Sequence, residues 1–365
     1  MKNWPSFLLK SIFSRYERQA LLAALRAKPC TTDIAQKICD ADGNTRFVSY
    51  IYRVHTIRGV DDAGNLGDDM QTIAVENAAR TICREGGGVI FESCYRDKLT
   101  NFSVRGGGAA VAIMQAWFGS VLGFLPSANV VPVWVGTHFA YGAQRRLKLL
   151  REYFPKAFPW TDIGCRDTAT LKFLQSLGIG SYFSRCLTLT LPRRKPAPTQ
   201  TRVFCVGISD EIREMLPREI VGNAEFVNQQ FIRIPPTADA PGVERYRKAA
   251  DALLARYRNE AALVVTSALH CAQPCIASGI PVVFIRPHDD GPDRFSSMQG
   301  VIPLHTPDDL REGRINWKPA PAEIEPLKAD MLENLKMSLD KALGKTVDAA
   351  KLAEIRRRIA EFSVV

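Results

Sequence analysis

The segment VVTSALHCAQPCIASGIPVVFI, residues 264–285, joins two apolar runs through a polar turn and a stretch of helical composition. Thr266 and Ser267 suit a strand-to-helix turn, and Gly279 is a typical helix stop. A strand, a helix and a second strand in this order predict a parallel βαβ unit. His270 then falls at the carboxyl end of a strand and the start of a helix, where ligands of open α/β sheets bind.

Strands and helices continue to alternate on both sides of this segment. Apolar and β-branched runs predict strands at 46–57, 130–136, 202–208, 261–267 and 280–285. Segments of helical periodicity lie at 68–82, 143–154, 167–178 and 242–259. This order predicts an α/β protein built on mostly parallel sheets.

A proline-rich, basic segment divides the chain at LPRRKPAPTQT, residues 191–201. Such a composition suits an interdomain linker, and 365 residues are ample for two packed domains. The predicted fold class is therefore α/β, with two Rossmann-like domains and a cleft between them. The expected units are a helical N-terminal preface (1–45), an N-terminal α/β domain (46–192), a linker (193–201), a C-terminal α/β domain (202–318) and C-terminal helices (319–365).

The charge balance points to anionic partners. Lys and Arg number 48 against 38 Asp and Glu, which gives a formal net charge of +10. Phosphorylated metabolites and acidic lipid headgroups fit this excess. Nucleic acid fits it less well, because the basic residues are spread along the chain without interleaved aromatic residues.

The N-terminal segment and the cysteines bear on location. Residues 1–26 form a basic amphipathic pattern, which fits a helix packed on its own domain or one lying on an anionic membrane surface. The apolar run FLLKSIF is interrupted by Lys10, and no signal peptide is expected. Nine scattered cysteines without zinc-site spacing predict reduced thiols and no metal. We expect a cytoplasmic protein, with contact to the inner face of the membrane left open.

Two further clusters follow predicted strands. In DDAGNLGDDMQ, residues 61–71, Asn65 and Asp68 can bind a ligand hydroxyl, while Asp68 or Asp69 can instead cap the helix that follows. In DIGCRDTATLKFL, residues 162–174, Arg166 stands next to a helix N-terminus, where carboxylate and phosphate oxygens bind well. Asp167 or Thr168 is expected to cap that helix, and an Arg–Asp pair that only fixes the turn is the alternative.

Together the three clusters resemble the polysaccharide pyruvyl transferase family. The resemblance rests on GNLGDDMQ (64–71), GCRD (164–167) with LGI (177–179), and LHCAQPCIASGIPVV (269–283), and it spans about residues 57–310. It implies a fold like that of GT-B glycosyltransferases. It also implies transfer of a pyruvyl group from phosphoenolpyruvate to two hydroxyls of a sugar in surface (exo)polysaccharide biosynthesis, with no cofactor and a saccharide acceptor that can be lipid-linked.

The resemblance also implies roles for single residues. The donor is expected between the domains, on Arg166 and on a family Arg-Leu-His triplet that reads Ala268-Leu269-His270 here. Arg294 is expected to supply the cation that Ala268 lacks, with Arg286 as the nearer alternative. His270 is expected to act as the general acid or to hold the phosphate. Asp68, or Asn65 beside it, is expected to orient or deprotonate the acceptor hydroxyl.

Two other functions remain open at this stage. A GT-B-type glycosyltransferase with a nucleotide-sugar donor could use the same architecture and a basic cleft. A pocket that stacks a nucleobase would favour it. The third hypothesis is a non-catalytic subunit of a polysaccharide assembly complex, which would tolerate substitution of Arg166 and His270.

Overall fold

A computed structural model describes residues 18–19, 21, 37–57, 60–84, 87–104, 107–119, 122–196, 200–287 and 291–365. Its strands are β1 (Thr45–Ile51), β2 (His55–Ile57), β3 (Val60–Asn65), β4 (Val89–Tyr95), β5 (Ala110–Ile113), β6 (Trp117–Phe118), β7 (Val130–Val133), β8 (His138–Phe139), β9 (Ile163–Cys165), β10 (Ser181–Phe183), β11 (Arg202–Val206), β12 (Ala224–Val227), β13 (Gln230–Arg233), β14 (Ala261–Thr266), β15 (Val282–Ile285) and β16 (Leu304–His305). Its helices are α1 (Leu66–Ile82), α2 (Tyr141–Tyr153), α3 (Thr168–Ser176), α4 (Asp210–Met215), α5 (Arg218–Val221), α6 (Glu244–Glu260), α7 (Leu269–Ala277), α8 (Pro307–Arg311), α9 (Glu325–Ala342) and α10 (Ala349–Glu361).

The first parallel sheet has the strand order β4-β1-β5-β7. Strand β5 is buried at all four positions, as expected for a parallel strand covered on both faces. The chain leaves β1 toward β4 on one side and returns to β5 on the other. The carboxyl ends of β1 and β5 therefore form a topological switch point, where ligands bind in open α/β sheets.

The second parallel sheet has the order β12-β11-β14-β15-β16. Its switch point lies between β11 and β14, because the chain passes from β11 to β12 and then back to β14. Strand β14, helix α7 and strand β15 form the parallel βαβ unit predicted from residues 264–285. The prediction of an α/β protein with parallel sheets is confirmed.

Helix α7 has a kink at His270, whose φ of −88° and ψ of 17° depart from helical values. Pro274 follows four residues later and has no N–H to donate to the carbonyl of His270. The kink therefore falls where the proline removes a helical hydrogen bond. It separates His270 from the regular part of the helix.

The two sheets share one hydrophobic core. Phe47 of β1, Met70 of α1 and Phe204 of β11 belong to the same cluster of buried side chains. Leu335 of α9 and Ile355 of α10 join it, so the C-terminal helices pack on the same core. A small antiparallel sheet, β13-β3-β2, also connects the two halves of the chain. The predicted division into domains stays a prediction.

Some expectations concern segments that the structure describes only in part. Most of the preface, residues 1–45, lies outside the described residues, and so do residues 197–199 of the linker. The described part of the linker is anchored, since Arg193 pairs with Glu323 and Arg194 donates to the carbonyl of Ala261. The strand expected at 46–57 is two strands, β1 and β2. Among the described residues, no helix is long and apolar enough to span a bilayer.

Candidate functional site

The three predicted clusters meet in one place. The Nη1 atom of Arg166 lies 3.2 Å from Oε1 of Gln71 in α1 and 3.5 Å from Nε2 of His270 in α7. A Cβ atom added at Gly67 would lie 3.1 Å from the Cβ of His270, so the glycine permits this close approach. Segments far apart in sequence thus place their polar side chains around Arg166.

Asn65 and Asp68 accept hydrogen bonds from different partners at the start of α1. Oδ1 of Asn65 accepts a hydrogen bond from the amide of Gly67 at 3.0 Å, so Asn65 is the N-cap. The expectation that Asp68 or Asp69 caps this helix is wrong. Asp68 instead accepts from Nε2 of Gln71 at 3.1 Å, which links it through Gln71 to Arg166. Burial raises the pKa of Asp68, and the positive charges of Arg96 and Arg166 oppose that rise.

Arg166 follows strand β9 and is only 2% exposed. Its Nε atom is buried without a hydrogen-bond partner and lies 3.6 Å from Oδ2 of Asp167. An Arg–Asp pair that only fixes the turn would use this donor in a hydrogen bond. A buried guanidinium with a donor unsatisfied by the protein is instead suited to binding an anion.

Asp167 and His138 form a dyad beside Arg166. Oδ2 of Asp167 lies 2.5 Å from Nδ1 of His138, and Oδ1 accepts from the amide of Thr170 at 2.9 Å. Asp167 is therefore the N-cap of α3, as one of the two sequence alternatives held. Burial opposes ionisation of Asp167, but the hydrogen bond and charge of His138, together with the charge of Arg166 and the amide of Thr170, outweigh it and lower the pKa of the carboxyl group. The Asp167 carboxylate accordingly holds the proton of His138 on Nδ1.

The surroundings of His270 favour its neutral form. Burial and the adjacent charge of Arg166 lower its pKa well below the ordinary value, and Arg294 and His138 act in the same direction. Since Arg166 can only donate, Nε2 of His270 is the acceptor of their contact and Nδ1 carries the proton. An anion bound at Arg166 would reverse part of this effect and favour the protonated form.

The family assignment follows from a comparison of the whole chain with family models. The model described as polysaccharide pyruvyl transferase matches residues 65–289, which include residues 65–71 of the first cluster and all of the other two. The chain belongs to the polysaccharide pyruvyl transferase family. No curated protein sequence matches it.

Two solved structures are similar to this member of the family at low identity. One is a protein of uncharacterised function from Klebsiella pneumoniae, 12% identical, covering 76% of this chain and 91% of that chain with a TM-score of 0.35. The other is the glycotransferase of kitacinnamycin, 14% identical, covering 85% of this chain and 98% of that chain with a TM-score of 0.27.

Three further residues bear on the predicted binding of the donor. Leu269 and Ala268 are buried, whereas Arg294 is exposed. Leu269 is 7% exposed and belongs to the hydrophobic core, so it supports His270 by packing. Ala268 is buried close to Gly207. A Cβ atom added at Gly207 would lie 3.4 Å from the Cβ of Ala268. Arg294 is exposed on the 3-10 helix Pro292–Met298, and its charge lowers the pKa of both His270 and His138, after the larger effect of burial.

Hydrogen bonds hold the segment that carries Arg294 against α3. The amide of Thr168 donates to Oγ of Ser296 at 2.8 Å, and its hydroxyl donates to Oδ1 of Asp293 at 2.7 Å. Arg294 is thereby kept beside the helix terminus that Arg166 precedes. Its charge reaches His270 and His138, and its role in binding the donor stays a prediction.

Sequence reasoning missed His138, which belongs to this site, and Arg96, which lines a separate cavity. Arg96 directly follows β4, and its guanidinium lies 5.2 Å from the ring of Tyr52 and 5.4 Å from that of Trp117. The available signal was its position, a basic residue at the carboxyl end of a parallel strand. His138 is in a two-residue strand without a sequence pattern. Among the described residues, no group of three or more His, Cys, Asp or Glu side chains could hold a metal ion.

Proposed function

We propose that this protein transfers the pyruvyl group of phosphoenolpyruvate to two hydroxyls of a saccharide, forming a ketal and releasing phosphate. The observation that carries the proposal is the buried Arg166 guanidinium, which has an unsatisfied Nε and lies beside the acceptor nitrogen of His270. This arrangement suits a small substrate with a carboxylate and a phosphate. Membership of the pyruvyl transferase family supports the same reaction class.

The reaction requires one proton on carbon and one on the leaving group. A proton adds to the methylene carbon of the donor, and the oxygen of one acceptor hydroxyl bonds to the adjacent carbon. The bond to the phosphate oxygen then breaks, and the second hydroxyl bonds to the same carbon. The two hydroxyl protons balance the new methyl hydrogen and the proton on the released phosphate.

Each of these steps can be assigned to particular residues of the site. Arg166 and Arg294 would hold the anionic groups of the donor, whose negative charge would raise the pKa of His270 and let it donate a proton. Asp68 would accept the proton of the acceptor hydroxyl or orient that hydroxyl, with Asn65 holding the turn. His138, aligned by Asp167, would exchange protons with the same ligands. No step requires a cofactor.

The wider setting is also part of the proposal. The two sheets would belong to two Rossmann-like domains in a GT-B-like arrangement, with phosphoenolpyruvate between them. The acceptor would be a saccharide of surface polysaccharide biosynthesis, free or lipid-linked, in the cytoplasm. Contact of residues 1–26 with the membrane stays an open prediction, because nearly all of that segment is outside the described residues.

One observation favours a nucleotide-sugar glycosyltransferase as the second candidate. A cavity of about 810 Å³ lies at the switch point of the second sheet, lined by Gly207, Ser267, Phe226 and Phe231 among others. Its position and aromatic side chains would suit a nucleotide. Asp210, Glu211 and Arg213 also line it, and Glu211 pairs with Arg311 at 2.7 Å. The lining therefore offers a diphosphate no net positive charge, and pyruvyl transfer remains the preferred function.

A thermal-shift and calorimetric titration separates the two functions. The full chain is titrated with phosphoenolpyruvate and, in parallel, with a panel of nucleotide sugars, because a ligand of the folded state raises the unfolding midpoint. We expect saturable phosphoenolpyruvate binding that is lost in Arg166→Gln and His270→Ala. His305→Ala is the matched control, since His305 lies in β16 away from the site. Stabilisation by a nucleotide sugar alone would replace the proposal with the second candidate.

A further inference from the structure

A second cavity, of about 300 Å³, opens at the carboxyl edge of the first sheet. Tyr52 follows β1 and Arg96 follows β4, while Trp117 belongs to β6 just beyond β5. We refer to the space lined by Tyr52, Arg96 and Trp117 as the aromatic cavity. It lies beside the switch point of this sheet, the usual place for a ligand in such a fold.

The charge of the aromatic cavity is concentrated at Arg96. Arg53 and Asp97 also line the cavity, but they pair with each other at 3.1 Å. The Nη1 atom of Arg96 is buried without a hydrogen-bond partner. Contacts with the rings of Tyr52 and Trp117 hold its guanidinium in place. A fixed cationic donor without a partner is suited to a carboxylate or a phosphate.

Trp117 gives the aromatic cavity an apolar surface that solvent can reach. Its side chain is 41% exposed, although tryptophan is usually well buried. Phe118 and Phe124 line the cavity behind it and are almost completely buried. A rigid aromatic face with polar groups at its edge fits a sugar ring, which has one apolar C–H face and hydroxyls around its rim.

The aromatic cavity adjoins the part of the site where the acceptor is proposed to react. The hydroxyl of Tyr52 lies 3.1 Å from Oγ1 of Thr72, one turn along α1 from Asp68. Burial and then the charge of Asp68 raise the pKa of Tyr52, and Arg96 opposes the raised pKa of Asp68. Tyr52 therefore connects the aromatic cavity to the first turns of α1, where Asp68 lies.

We propose that the aromatic cavity binds the acceptor as a saccharide with an anionic group, which Arg96 holds while a sugar ring stacks on Trp117. The inference rests on the proposed function, because Asp68 acts on an acceptor only if this chain is a transferase. The anionic group is the carboxylate of an acidic sugar or the phosphate of a phosphorylated sugar. Both place a localised negative charge within reach of Arg96.

Calorimetric titration of the full chain with three sugars tests this proposal. The probes are glucuronic acid, glucose 1-phosphate and glucose, each added in the presence of saturating phosphoenolpyruvate. We expect glucuronic acid or glucose 1-phosphate to bind at least about tenfold more tightly than glucose, since a charge-assisted hydrogen bond distinguishes them. The stronger of the two identifies the anionic group as carboxylate or phosphate. Equal affinity for all three sugars would overturn the proposal.

Matched variants assign the binding to the cavity. Arg96→Gln should remove the preference for the charged sugar, and Trp117→Ala should weaken binding of all three. Arg80→Gln is the control, because Arg80 also stacks on an aromatic ring, that of Phe91, but lies outside the cavity. Unchanged charged-sugar binding in Arg96→Gln would overturn the proposal, and so would loss of binding in Arg80→Gln alone.

The phosphoenolpyruvate titration keeps this test separate from that of the proposed function. Arg96→Gln and Trp117→Ala should bind phosphoenolpyruvate as the native chain does, which also shows that they are folded. Normal phosphoenolpyruvate binding without a preference for a charged sugar would refute the aromatic cavity as the acceptor site and leave the donor site intact. Failure of the native chain to bind phosphoenolpyruvate would refute the proposed function itself.

Discussion

The Nη1 atom of Arg166 and the Nε2 atom of His270 are 3.5 Å apart, although 104 positions separate the two residues in the chain. Because a guanidinium only donates, the contact defines the tautomer of His270, with its proton on Nδ1. It also places a positive charge against the imidazole, which opposes a second proton. An anion that binds to Arg166 would therefore raise the pKa of His270.

The first prediction concerns this pair. Arg166→Gln removes the nearest positive charge, so the pKa of His270 should rise toward its ordinary value while burial still keeps it low. A pH titration of the histidine ring signals by NMR measures the change. His305 provides an internal reference, because its low pKa is due to its own burial. A His270 pKa that stays constant or falls would show that Arg166 does not control it.

The second prediction concerns the dyad. Asp167→Asn keeps an oxygen to cap α3 but removes the carboxylate that faces His138. The hydrogen bond and charge of Asp167 both favour protonated His138, against the larger effect of burial, so the pKa of His138 should fall further. NMR titration again measures it. Asp293→Asn is the control, because Asp293 bonds Thr168 at the same helix end without contacting His138. An equal fall in both variants would argue against the dyad.

The third prediction concerns Asp69, which is 6% exposed and outside the proposed chemistry. Burial, followed by the charge of Asp68, raises the pKa of Asp69 to about 8. Between pH 4 and 8, roughly, the folded chain retains a proton that the unfolded chain releases, so stability should fall as pH rises through this range. Asp69→Asn removes this dependence and should stabilise the protein by up to about 4 kcal/mol near pH 7.

Urea unfolding at pH 5 and pH 8 measures the effect of Asp69→Asn, with the larger gain expected at pH 8. Glu76→Gln in the same helix should have the opposite sign. Glu76 accepts hydrogen bonds from Ser49 at 2.7 Å and from Arg247 at 2.9 Å, and the amide would weaken both. Destabilisation by Asp69→Asn at pH 8 would show that its carboxylate has a stabilising partner.

Strand-end position identified residues that the fold brings together in the candidate site. The buried strands and their turn residues could be read from the sequence, and the carboxyl ends of parallel strands face the same edge. This logic singled out His270, Arg166 and Asp68 in advance, and the fold brings all three together. The helix cap at Asn65 was missed, because Asp68 and Asp69 are equally good capping residue types and only backbone geometry selects among them.

Other members of the site depend on tertiary packing that leaves little sequence signal. His138 reaches Asp167 from a two-residue strand, and its role follows from a 2.5 Å contact between segments 29 positions apart. The guanidinium of Arg96 lies against the rings of Tyr52 and Trp117, which come from the ends of different strands. Local periodicity carries no information on such pairings, since each depends on the order of strands in the sheet.

The fourth prediction concerns Arg294, the cation proposed to replace the arginine that the family resemblance implies at position 268. Arg294→Gln should weaken phosphoenolpyruvate binding about tenfold, the loss expected for one charge-assisted contact. Arg286→Gln is the control, because Arg286 does not contribute to the lowered pKa of His270 whereas Arg294 does. Calorimetry in low salt gives both affinities. Equal losses would indicate a general electrostatic effect, and a loss in Arg286→Gln alone would exchange the two roles.

The fifth prediction concerns Arg185, which is 1% exposed and fastens the C-terminal helices to the site. Its guanidinium donates to the carbonyls of Ile359, Ser297, Gln299 and Phe362 at 2.8–3.1 Å. Arg185→Met would leave these carbonyls, two of them in buried contacts and two in half-buried ones, without their donor, and it should cost about 3–5 kcal/mol of unfolding free energy. Urea denaturation measures this loss.

The same variant should also affect binding, because Ser297 belongs to the 3-10 helix Pro292–Met298 that carries Arg294. Once the carbonyl of Ser297 loses its donor, Arg294 is held less firmly, and phosphoenolpyruvate affinity should fall even where the protein is fully folded. Arg358→Met is the control, since Arg358 is partly exposed and pairs with Asp330 on the surface. It should leave both stability and affinity nearly unchanged. A stability loss in Arg185→Met with native affinity would show that the two halves of the site are positioned independently of this arginine.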